Sequence, residues 1–370
     1  MPAATENILV RSVNWLGDAV MSTPALMRLR QARPGARITL LSPEKLAGLW
    51  EEQPFVDEVL TFSALENVWQ VAKRLRAGKF TTGLAFPNSI RSALELWLAG
   101  IPRRVGVAHA GRSIFLTDAM PPSAGAVAMR KRPVAEIRRC IETGTATTMY
   151  SVAAHHVHHY LHLAAALGAS PEIMAPRIDV SENAMEQARG KFGLTRVGGR
   201  PWFGLSPGAA YGPAKRWPTE RFVAVARILQ EKIQCRWMIL GGAGDRALAE
   251  AISSDLARAT GKPPLNLAAA TSLRELAAVL KICDLVLTND SGPMHLAAAV
   301  GAPVVAIFGS TSPEMTGPLF SERAQVVRRP TPCAPCFRRE CPIDLRCLLG
   351  IETEQVVAAA LRCLADGVRK

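Results

Sequence analysis

Several familiar sequence signatures are absent from this chain, and their absence narrows the functions that it can have. No G-x-G-x-x-G motif follows the first apolar run, and no G-x-x-x-x-G-K-[ST] motif occurs anywhere. Dinucleotide-dependent dehydrogenases and P-loop enzymes are therefore disfavoured. No Asp-x-Asp pair is present to bind Mg²⁺ beside a nucleotide. Aromatic residues make up only 6% of the chain and no basic stretch is interleaved with them, so nucleic acid is a weak candidate partner.

Targeting and membrane-spanning patterns are also missing. The segment from Met1 to Asn7 lacks a basic region followed by an apolar core, which predicts that there is no signal peptide. The longest uncharged run, Ser291 to Pro313, is interrupted by Gly301, Pro303 and Gly309. A buried helix followed by a buried strand explains this run better than a membrane span does. The sequence therefore predicts a soluble, cytoplasmic protein that is at most peripheral to a membrane.

The size and charge of the chain indicate two globular domains and an anionic partner. Its 370 residues suit two domains of roughly 150–200 residues each. A hydrophobic fraction of 49% and a charged fraction of 20% are ordinary for globular proteins. The formal net charge of +13 is spread along the chain and suits a polyanion, such as an acidic membrane face or a phosphorylated substrate.

Strand-type and helix-type segments alternate along most of the chain. The clearest strands are 8–10, 38–41, 83–86, 202–205, 237–240, 285–287 and 304–308, and the clearest helices are 68–75, 93–98, 155–167, 294–300 and 354–364. This alternation predicts βαβ units and parallel sheets covered on both faces, that is, an α/β protein.

The alternation stops around 121–150 and restarts after the pair Gly198-Gly199. We therefore predict two Rossmann-like domains with the following boundaries: an amino-terminal domain over 1–175, a linker over 176–200, a second domain over 201–350 and a carboxy-terminal helix over 351–370. Ligands of such sheets bind beyond the carboxyl ends of the strands, where helix N-termini favour anions.

Two loops in the second domain have the composition of phosphate sites. The loop from Ser206 to Pro218 is rich in Gly, Ala and Pro, so its backbone N–H groups can approach an oxyanion, and Lys215 can add a point charge. The alternative is a structural loop whose cations are merely solvated. In the loop from Thr288 to His295, Asp290 suits sugar hydroxyls, and His295 could reach a phosphate or be a satisfied core histidine.

Asp18 is the third candidate, because it follows Gly17 at the start of the first predicted helix. A carboxylate there can cap orphan N–H groups of the helix. It can equally act as a general base that deprotonates an acceptor hydroxyl. The residues alone leave both interpretations open.

Four motifs, in order along the chain, resemble those of the lipopolysaccharide heptosyltransferases: Asn14 to Pro24, Pro87-Asn88-Ser89 with Gly100-Ile101-Pro102, Pro207 to Pro218, and Asn289 to His295. The resemblance extends from Ile8 to Leu364, and the stretch Gly-Pro-Ala-Lys-Arg-Trp-Pro is most similar to the heptosyltransferase II branch. It implies a GT-B fold with two Rossmann-like domains that face a central cleft. It also implies an inverting transfer of heptose from ADP-heptose to the first heptose of a heptosylated Kdo-lipid A acceptor, without a cofactor.

The resemblance also implies roles for individual residues. Asp18 corresponds to the catalytic base, Lys215 to the lysine that binds the diphosphate, and Asn88 and Ser89 to the acceptor side. The other donor-site residues that it implies are Ser206, Gly208, Ala209, Arg216, Asp245 near the ribose, Thr271 and Ser272 near the adenine, Asp290, Ser291, Gly292 and His295.

Two clusters of potential metal ligands depart from the expected pattern. Cys333, Cys336, Cys341 and Cys347 have the number of ligands that a structural zinc needs, although the usual paired C-x₂-C spacing is absent. Four histidines, at positions 155, 158, 159 and 162, share one helical face, but no Cys or acid is interleaved with them. We therefore expect no catalytic metal and treat zinc at the cysteines as the lesser alternative. The basic segment 120–150 is either an acceptor loop or a solvated excursion.

Two other functions remain open at this point. A sibling transferase could use another nucleotide-sugar, because no short motif fixes the choice of donor. A nucleotide-sugar epimerase or hydrolase on the same scaffold, or a binding module without catalysis, would have no acceptor. Asp18 distinguishes a binding module from a transferase, which needs an acid at that place.

Overall fold

The structure, a computed structural model, describes residues 6–144 and 149–368. The prediction about the amino terminus rests mainly on residues 1–5, which lie outside the described part. Two other predictions fall partly outside the described residues. They are the segment 120–150, at residues 145–148, and the predicted carboxy-terminal helix, at its last two residues.

The first of two sheets contains six parallel strands. They are β1 (Asn7–Arg11), β2 (Arg37–Pro43), β3 (Glu58–Phe62), β4 (Thr82–Ala85), β5 (Arg103–Val107) and β6 (Asp118–Met120), arranged in the order β3-β2-β1-β4-β5-β6. Because β1 is central and covered on both faces, it reads as the continuous apolar run Ile8-Leu9-Val10, all fully buried. The order reverses beside β1, so the loop after β1 opens at the switch point of the sheet, where ligands bind.

Five helices accompany this sheet in the described residues, and the second begins beside a proline directly after the first. They are α1 (Leu16–Met21), α2 (Thr23–Ala32), α3 (Val68–Ala77), α4 (Ile90–Leu98) and, after an intervening segment, α6 (His156–Ala165). Helices α1 and α2 are separated only by Ser22, and Pro24 lies in the first turn of α2, where its missing N–H costs nothing. A helix can therefore begin at Thr23-Pro24 directly after α1 ends.

The second sheet has the same design. Its six parallel strands are β7 (Trp202–Ser206), β8 (Arg236–Ile239), β9 (Leu265–Asn266), β10 (Leu285–Asn289), β11 (Val304–Phe308) and β12 (Ala324–Arg328), in the order β12-β11-β10-β7-β8-β9. Strands β7 and β10 are neighbours, with Ser206 paired to Thr288. The loops that follow these two strands therefore leave the sheet side by side.

Helices on both faces cover the second sheet. They are α7 (Glu182–Phe192), α8 (Thr219–Ile233), α9 (Arg246–Thr260), α10 (Leu273–Ile282), α11 (Gly292–Ala299), α12 (Pro313–Thr316), α13 (Arg346–Leu349) and α14 (Thr353–Val368). A capping box begins α10, because Ser272 accepts from the N–H of Glu275 while Glu275 accepts from the N–H of Ser272. No helix in residues 6–144 or 149–368 has both the length and the apolar character needed to cross a bilayer.

The described residues form two compact units whose boundaries differ from the predicted ones. One unit contains the residues up to Ala126 together with His155–Asp179, and the other contains Val127–Ala154 and the residues from Val180 onward. The sequence placed 127–154 in the first domain. The segment instead includes a helix, α5 (Val134–Thr143), that packs through Ile137 against Cys333 and Cys336.

The stretch 176–200, which the sequence indicated to be a linker, contains α7. Ser181 caps this helix, and Gly193 ends it in the left-handed conformation. Its apolar positions are few, which hid it from a search for periodicity. The predicted α/β class with parallel sheets is confirmed.

Candidate functional site

Asn289, the last residue of β10, holds the loop that follows β7. Its side-chain amide donates to the carbonyl of Pro207 (2.7 Å), and its side-chain oxygen accepts from the N–H of Trp217 (3.1 Å). Asn289 is fully buried, so neither bond competes with water. One side chain thus fixes both ends of the loop 207–217 at the carboxyl edge of the sheet.

Lys215 lies at the end of this loop and is paired with Asp290. Its Nζ is 2.5 Å from Asp290 Oδ2, and the hydroxyl of Thr311 donates to the same carboxylate oxygen (2.6 Å). The ring of Tyr211 lies beneath the ammonium, with its centroid 5.0 Å from Nζ. Because an ammonium has three donors, Lys215 can keep Asp290 and still donate to a phosphate oxygen.

Asp245 lies against the same loop, although it comes from the segment after β8. A Cβ at Gly208 would be only 2.4 Å from a carboxylate oxygen of Asp245, so a larger residue there would displace that carboxylate. The carboxylate also accepts from the N–H of Gly242 (3.0 Å). The structure therefore brings the predicted residues Gly208 and Asp245 together.

The segment 333–347 supports the loop from the other side. The hydroxyl of Tyr211 donates to the carbonyl of Phe337 (2.7 Å), and the N–H of Ala214 donates to the carbonyl of Arg339 (2.9 Å). Gly212 has a φ of 152°, and a Cβ there would be 2.5 Å from the carbonyl oxygen of Arg339. The close approach of the two backbones explains why glycine is needed at this position.

The loop after β10 ends in the N-terminus of α11. Ser291 precedes this helix and Gly292 is its first residue, so free N–H groups begin next to Asp290. His295 lies one turn into α11 and is 7% exposed. The structure thus groups Ser291, Gly292 and His295 with the Lys215–Asp290 pair at the ends of β7 and β10.

Five predicted donor residues remain, and side-chain contacts give two of them, Arg216 and Ser272, a structural role. Ser206 ends β7 and is buried, and the guanidinium of Arg216 donates to the carbonyl of Ala209 (3.3 Å), so it braces the loop from within. Ser272 caps α10, and Thr271 directly precedes it.

Asp18 belongs to the first unit and lies in the first turn of α1. It does not cap that helix, because Trp15 occupies the N-cap position and no side-chain cap is present. Instead, its Oδ1 accepts a hydrogen bond from the hydroxyl of Tyr160 (3.2 Å), and His156 Nδ1 is 3.6 Å from the same oxygen. The side chain of Asp18 is 30% exposed, so solvent and ligands can reach it.

Asn88 and Ser89 follow β4, which is the strand next to β1. Both are exposed. Ser89 caps α4 by accepting from the N–H of Ser92 (3.2 Å). The structure places these two residues at the same sheet edge as the loop of Asp18, and a role in acceptor binding stays a prediction.

No group of three or more His, Cys, Asp or Glu residues could hold a metal ion in the part of the chain that the structure describes. Cys333, Cys336, Cys341 and Cys347 nevertheless line one small cavity of about 10 Å³, together with Ala214. Burial raises the pKa of the Cys347 thiol to about 12 and also raises the pKa of Cys336. Burial thus favours the protonated form of the Cys336 and Cys347 thiols, and zinc at this place stays the lesser alternative.

Three of the four histidines that were considered as a metal cluster have other partners. The side chain of His155 accepts from the N–H of Val157, and the rings of His159 and His162 lie 3.4 Å and 2.9 Å from backbone carbonyls. Burial lowers the pKa of His159, which favours its neutral form.

Sequence reasoning missed four residues that the structure brings to these sites: Tyr160, Asn289, Thr311 and Tyr211. Asn289 and Tyr211 lie within motifs, so their positions were visible but their functions were not. Tyr160 and Thr311 have no local signal, because each meets its partner only after distant segments have packed.

Two parallel-sheet units, with polar loops at the switch points of the sheets, are the architecture of the GT-B fold. The structure matches a solved structure of the Escherichia coli ADP-heptose LPS heptosyltransferase II with a TM-score of 0.76 and 26% identity, covering 98% of this chain and 99% of that one. It matches the glycosyltransferase family 9 structure from Veillonella parvula with a TM-score of 0.78 and 25% identity, over 99% of each chain.

The sequence comparisons are more specific. Residues 144–346 match the model of glycosyltransferase family 9 (heptosyltransferase). The chain is 30% identical over 330 residues to the lipooligosaccharide heptosyltransferase 2 of Haemophilus ducreyi, covering 87% of this chain and 88% of the relative. The chain therefore belongs to glycosyltransferase family 9, the heptosyltransferases. It is a glycosyltransferase, as the sequence predicted.

Proposed function

We propose that this enzyme transfers L-glycero-D-manno-heptose from ADP-heptose to the first heptose of the lipopolysaccharide inner core, as a heptosyltransferase II. The names of the relatives support this donor and this acceptor class. The observation that carries the proposal is the convergence of Lys215, Asp290 and the N-terminus of α11 at the ends of two neighbouring strands. Such a site favours an anion beside a polyhydroxylated group.

The second unit would bind the donor. Lys215 and the N–H groups at Ser291 and Gly292 neutralise the diphosphate, and Asp290 accepts from heptose hydroxyls. Asp245 is available for the ribose, and Thr271 and Ser272 border the adenine. These groups supply positive charge to the leaving diphosphate from the protein itself, so the proposal needs no metal.

The first unit would bind the acceptor, with Asn88 and Ser89 on the acceptor side and Asp18 as the general base. The acceptor oxygen forms a bond to the anomeric carbon while its proton passes to Asp18. The bond from the anomeric carbon to the phosphate oxygen breaks, and ADP leaves with the electron pair. Attack on the face opposite ADP inverts the anomeric centre.

We also infer that the enzyme works in the cytoplasm and contacts the anionic face of the inner membrane peripherally. Its acceptor is anchored there, and the net charge of +13 favours that face. The attraction acts over about one Debye length, roughly 8 Å at physiological salt.

The purified enzyme should add one heptose to a heptose-bearing Kdo-lipid A acceptor when it is given ADP-heptose. Mass spectrometry of the acceptor, together with measurement of released ADP, tests this transfer. The same assay in EDTA tests whether the transfer needs a metal. Transfer from another nucleotide-sugar in preference to ADP-heptose would establish a sibling transferase. Release of ADP or conversion of the donor without any acceptor would establish a hydrolase or an epimerase.

The variant Asp18→Asn should lower turnover by at least about a hundred-fold, because the amide can accept a hydrogen bond but cannot take the proton. Affinity for ADP-heptose and the melting temperature should stay close to those of the wild type. The matched control is Asp255→Asn, on the exposed surface of α9, which should leave turnover unchanged. Turnover of Asp18→Asn within a few-fold of the wild type would show that the base lies elsewhere.

A further inference from the structure

The hydroxyl of Tyr160 makes a defined contact with the Asp18 carboxylate. Tyr160 lies in α6, which packs against α1 and α2 within the first unit. Its ring is 4% exposed and makes an edge-on contact with Phe86, with 5.3 Å between the ring centroids. The phenol is therefore held by the core, and its hydroxyl donates to Asp18 Oδ1 over 3.2 Å.

The phenol can act only as a donor toward this carboxylate. Burial and the negative charge of Asp18 raise the pKa of Tyr160 well above its usual value. The hydroxyl consequently keeps its proton throughout the pH range in which a carboxylate titrates. A carboxylate has about four lone-pair sites, so one bond from Tyr160 leaves others for an acceptor hydroxyl.

Helix α6 supplies two titratable groups that face Asp18, Tyr160 and His156. His156 Nδ1 is 3.6 Å from Oδ1, too far for a good hydrogen bond but close enough for an electrostatic effect. Its neighbours point elsewhere, since His159 and His162 lie beside the carbonyls of Phe86 and Pro121. The polar side chains of α6 therefore contact Asp18 and backbone carbonyls, and these contacts do not involve a metal.

We propose that Tyr160 is a positioning residue that orients the Asp18 carboxylate for proton transfer from the acceptor hydroxyl. The inference rests on the proposed role of Asp18 as the base. A hydrogen bond to one oxygen restricts rotation of the carboxylate and stabilises its charged form. Loss of that bond leaves a base that is misplaced and that protonates at higher pH.

The test compares Tyr160→Phe with Tyr150→Phe, which removes a phenol that has no hydrogen bond among the described residues. Tyr160→Phe should lower kcat by about ten-fold, because small misplacements of a reacting group are costly, while KM for ADP-heptose stays unchanged. The acidic limb of the pH profile of kcat should move to higher pH. If Tyr160 had only a structural role, its replacement would lower the melting temperature without moving this limb. The variant His156→Gln measures separately what the imidazole contributes to the pH profile.

Labelling with 3-fluorotyrosine provides a second measurement that retains the hydroxyl. The fluorinated phenol is a stronger donor, so the acidic limb should move to lower pH in the Tyr150→Phe background. It should not move in the Tyr160→Phe background. An unchanged kcat in Tyr160→Phe, or a limb that responds equally in both backgrounds, would overturn the proposal.

The double variant Asp18→Asn/Tyr160→Phe separates this inference from the proposed function. If Tyr160 acts through Asp18, the double variant should be no slower than Asp18→Asn alone. A further ten-fold loss would show that Tyr160 acts independently of Asp18. If Asp18→Asn itself keeps its turnover, the assignment of the base fails, whatever the result for Tyr160.

Discussion

At the scale of single residues, Lys215 joins the sequence motif to the chemistry most directly. The variant Lys215→Ala should weaken binding of ADP-heptose by about ten- to a hundred-fold, because it removes a charge-assisted hydrogen bond of roughly 1.5–3 kcal/mol. Isothermal titration calorimetry with ADP-heptose measures this directly. Lys262→Ala, an exposed lysine after α9, is the matched control and should bind like the wild type.

The variant Lys215→Ala should also affect stability, because Lys215 is paired with the buried Asp290. Removal of the ammonium leaves Asp290, which is 3% exposed, without the cation that lies 2.5 Å away. Uncompensated buried charges destabilise proteins, so a lower melting temperature is expected as well. Unchanged affinity in a folded Lys215→Ala variant would show that this loop does not hold the phosphates.

At the scale of secondary-structure elements, two predicted ligand residues, Ser89 and Ser272, are also helix caps. Ser272 is the clearest case, since its hydroxyl accepts from the N–H of Glu275 in the first turn of α10. Serine at such a position favours the helix whether or not a ligand is bound. Helix capping by itself thus accounts for a serine at position 272.

The variant Ser272→Ala should lower the free energy of unfolding by about 1 kcal/mol, because one orphan N–H loses its acceptor. Thermal unfolding followed by circular dichroism checks this value. The control is Ser254→Ala within α9, where the hydroxyl bonds only the carbonyl of Glu250 and little change is expected. A variant with unchanged stability but weaker binding of ADP-heptose would make Ser272 a ligand contact rather than a cap.

At the scale of the whole molecule, the excess of basic residues determines the long-range interactions. The chain carries 44 Lys and Arg against 31 Asp and Glu, and no described helix is suited to span a bilayer. Attraction to an anionic surface would therefore be electrostatic and sensitive to salt.

The enzyme should co-sediment with vesicles that contain anionic lipid and not with vesicles of neutral lipid alone. Binding should fall steeply between low and physiological salt, because screening shortens the reach of the charges. Sedimentation at several salt concentrations provides the measurement. Equal binding to neutral vesicles would contradict an electrostatic contact with the membrane.

The sequence by itself determined the class of fold and the places of the loops. Central strands such as β1 and β11 are covered on both faces, so their apolar runs were visible, and β11 was predicted with its observed bounds. Short or half-exposed elements were not visible. Strand β3 has little continuous burial, and α7 has a largely polar composition.

Only the tertiary structure decided which side chains meet. The bonds from Tyr160 to Asp18 and from Thr311 to Asp290 join residues 142 and 21 positions apart, and Asn289 reaches Pro207 over 82 positions. Spacing along the chain carries no information about such contacts, because they form only when segments that are distant in sequence pack together. The motifs thus located Asp18 and Lys215, whereas the contact of Asp18 with Tyr160 and the pairing of Lys215 with Asp290 follow from the packed fold.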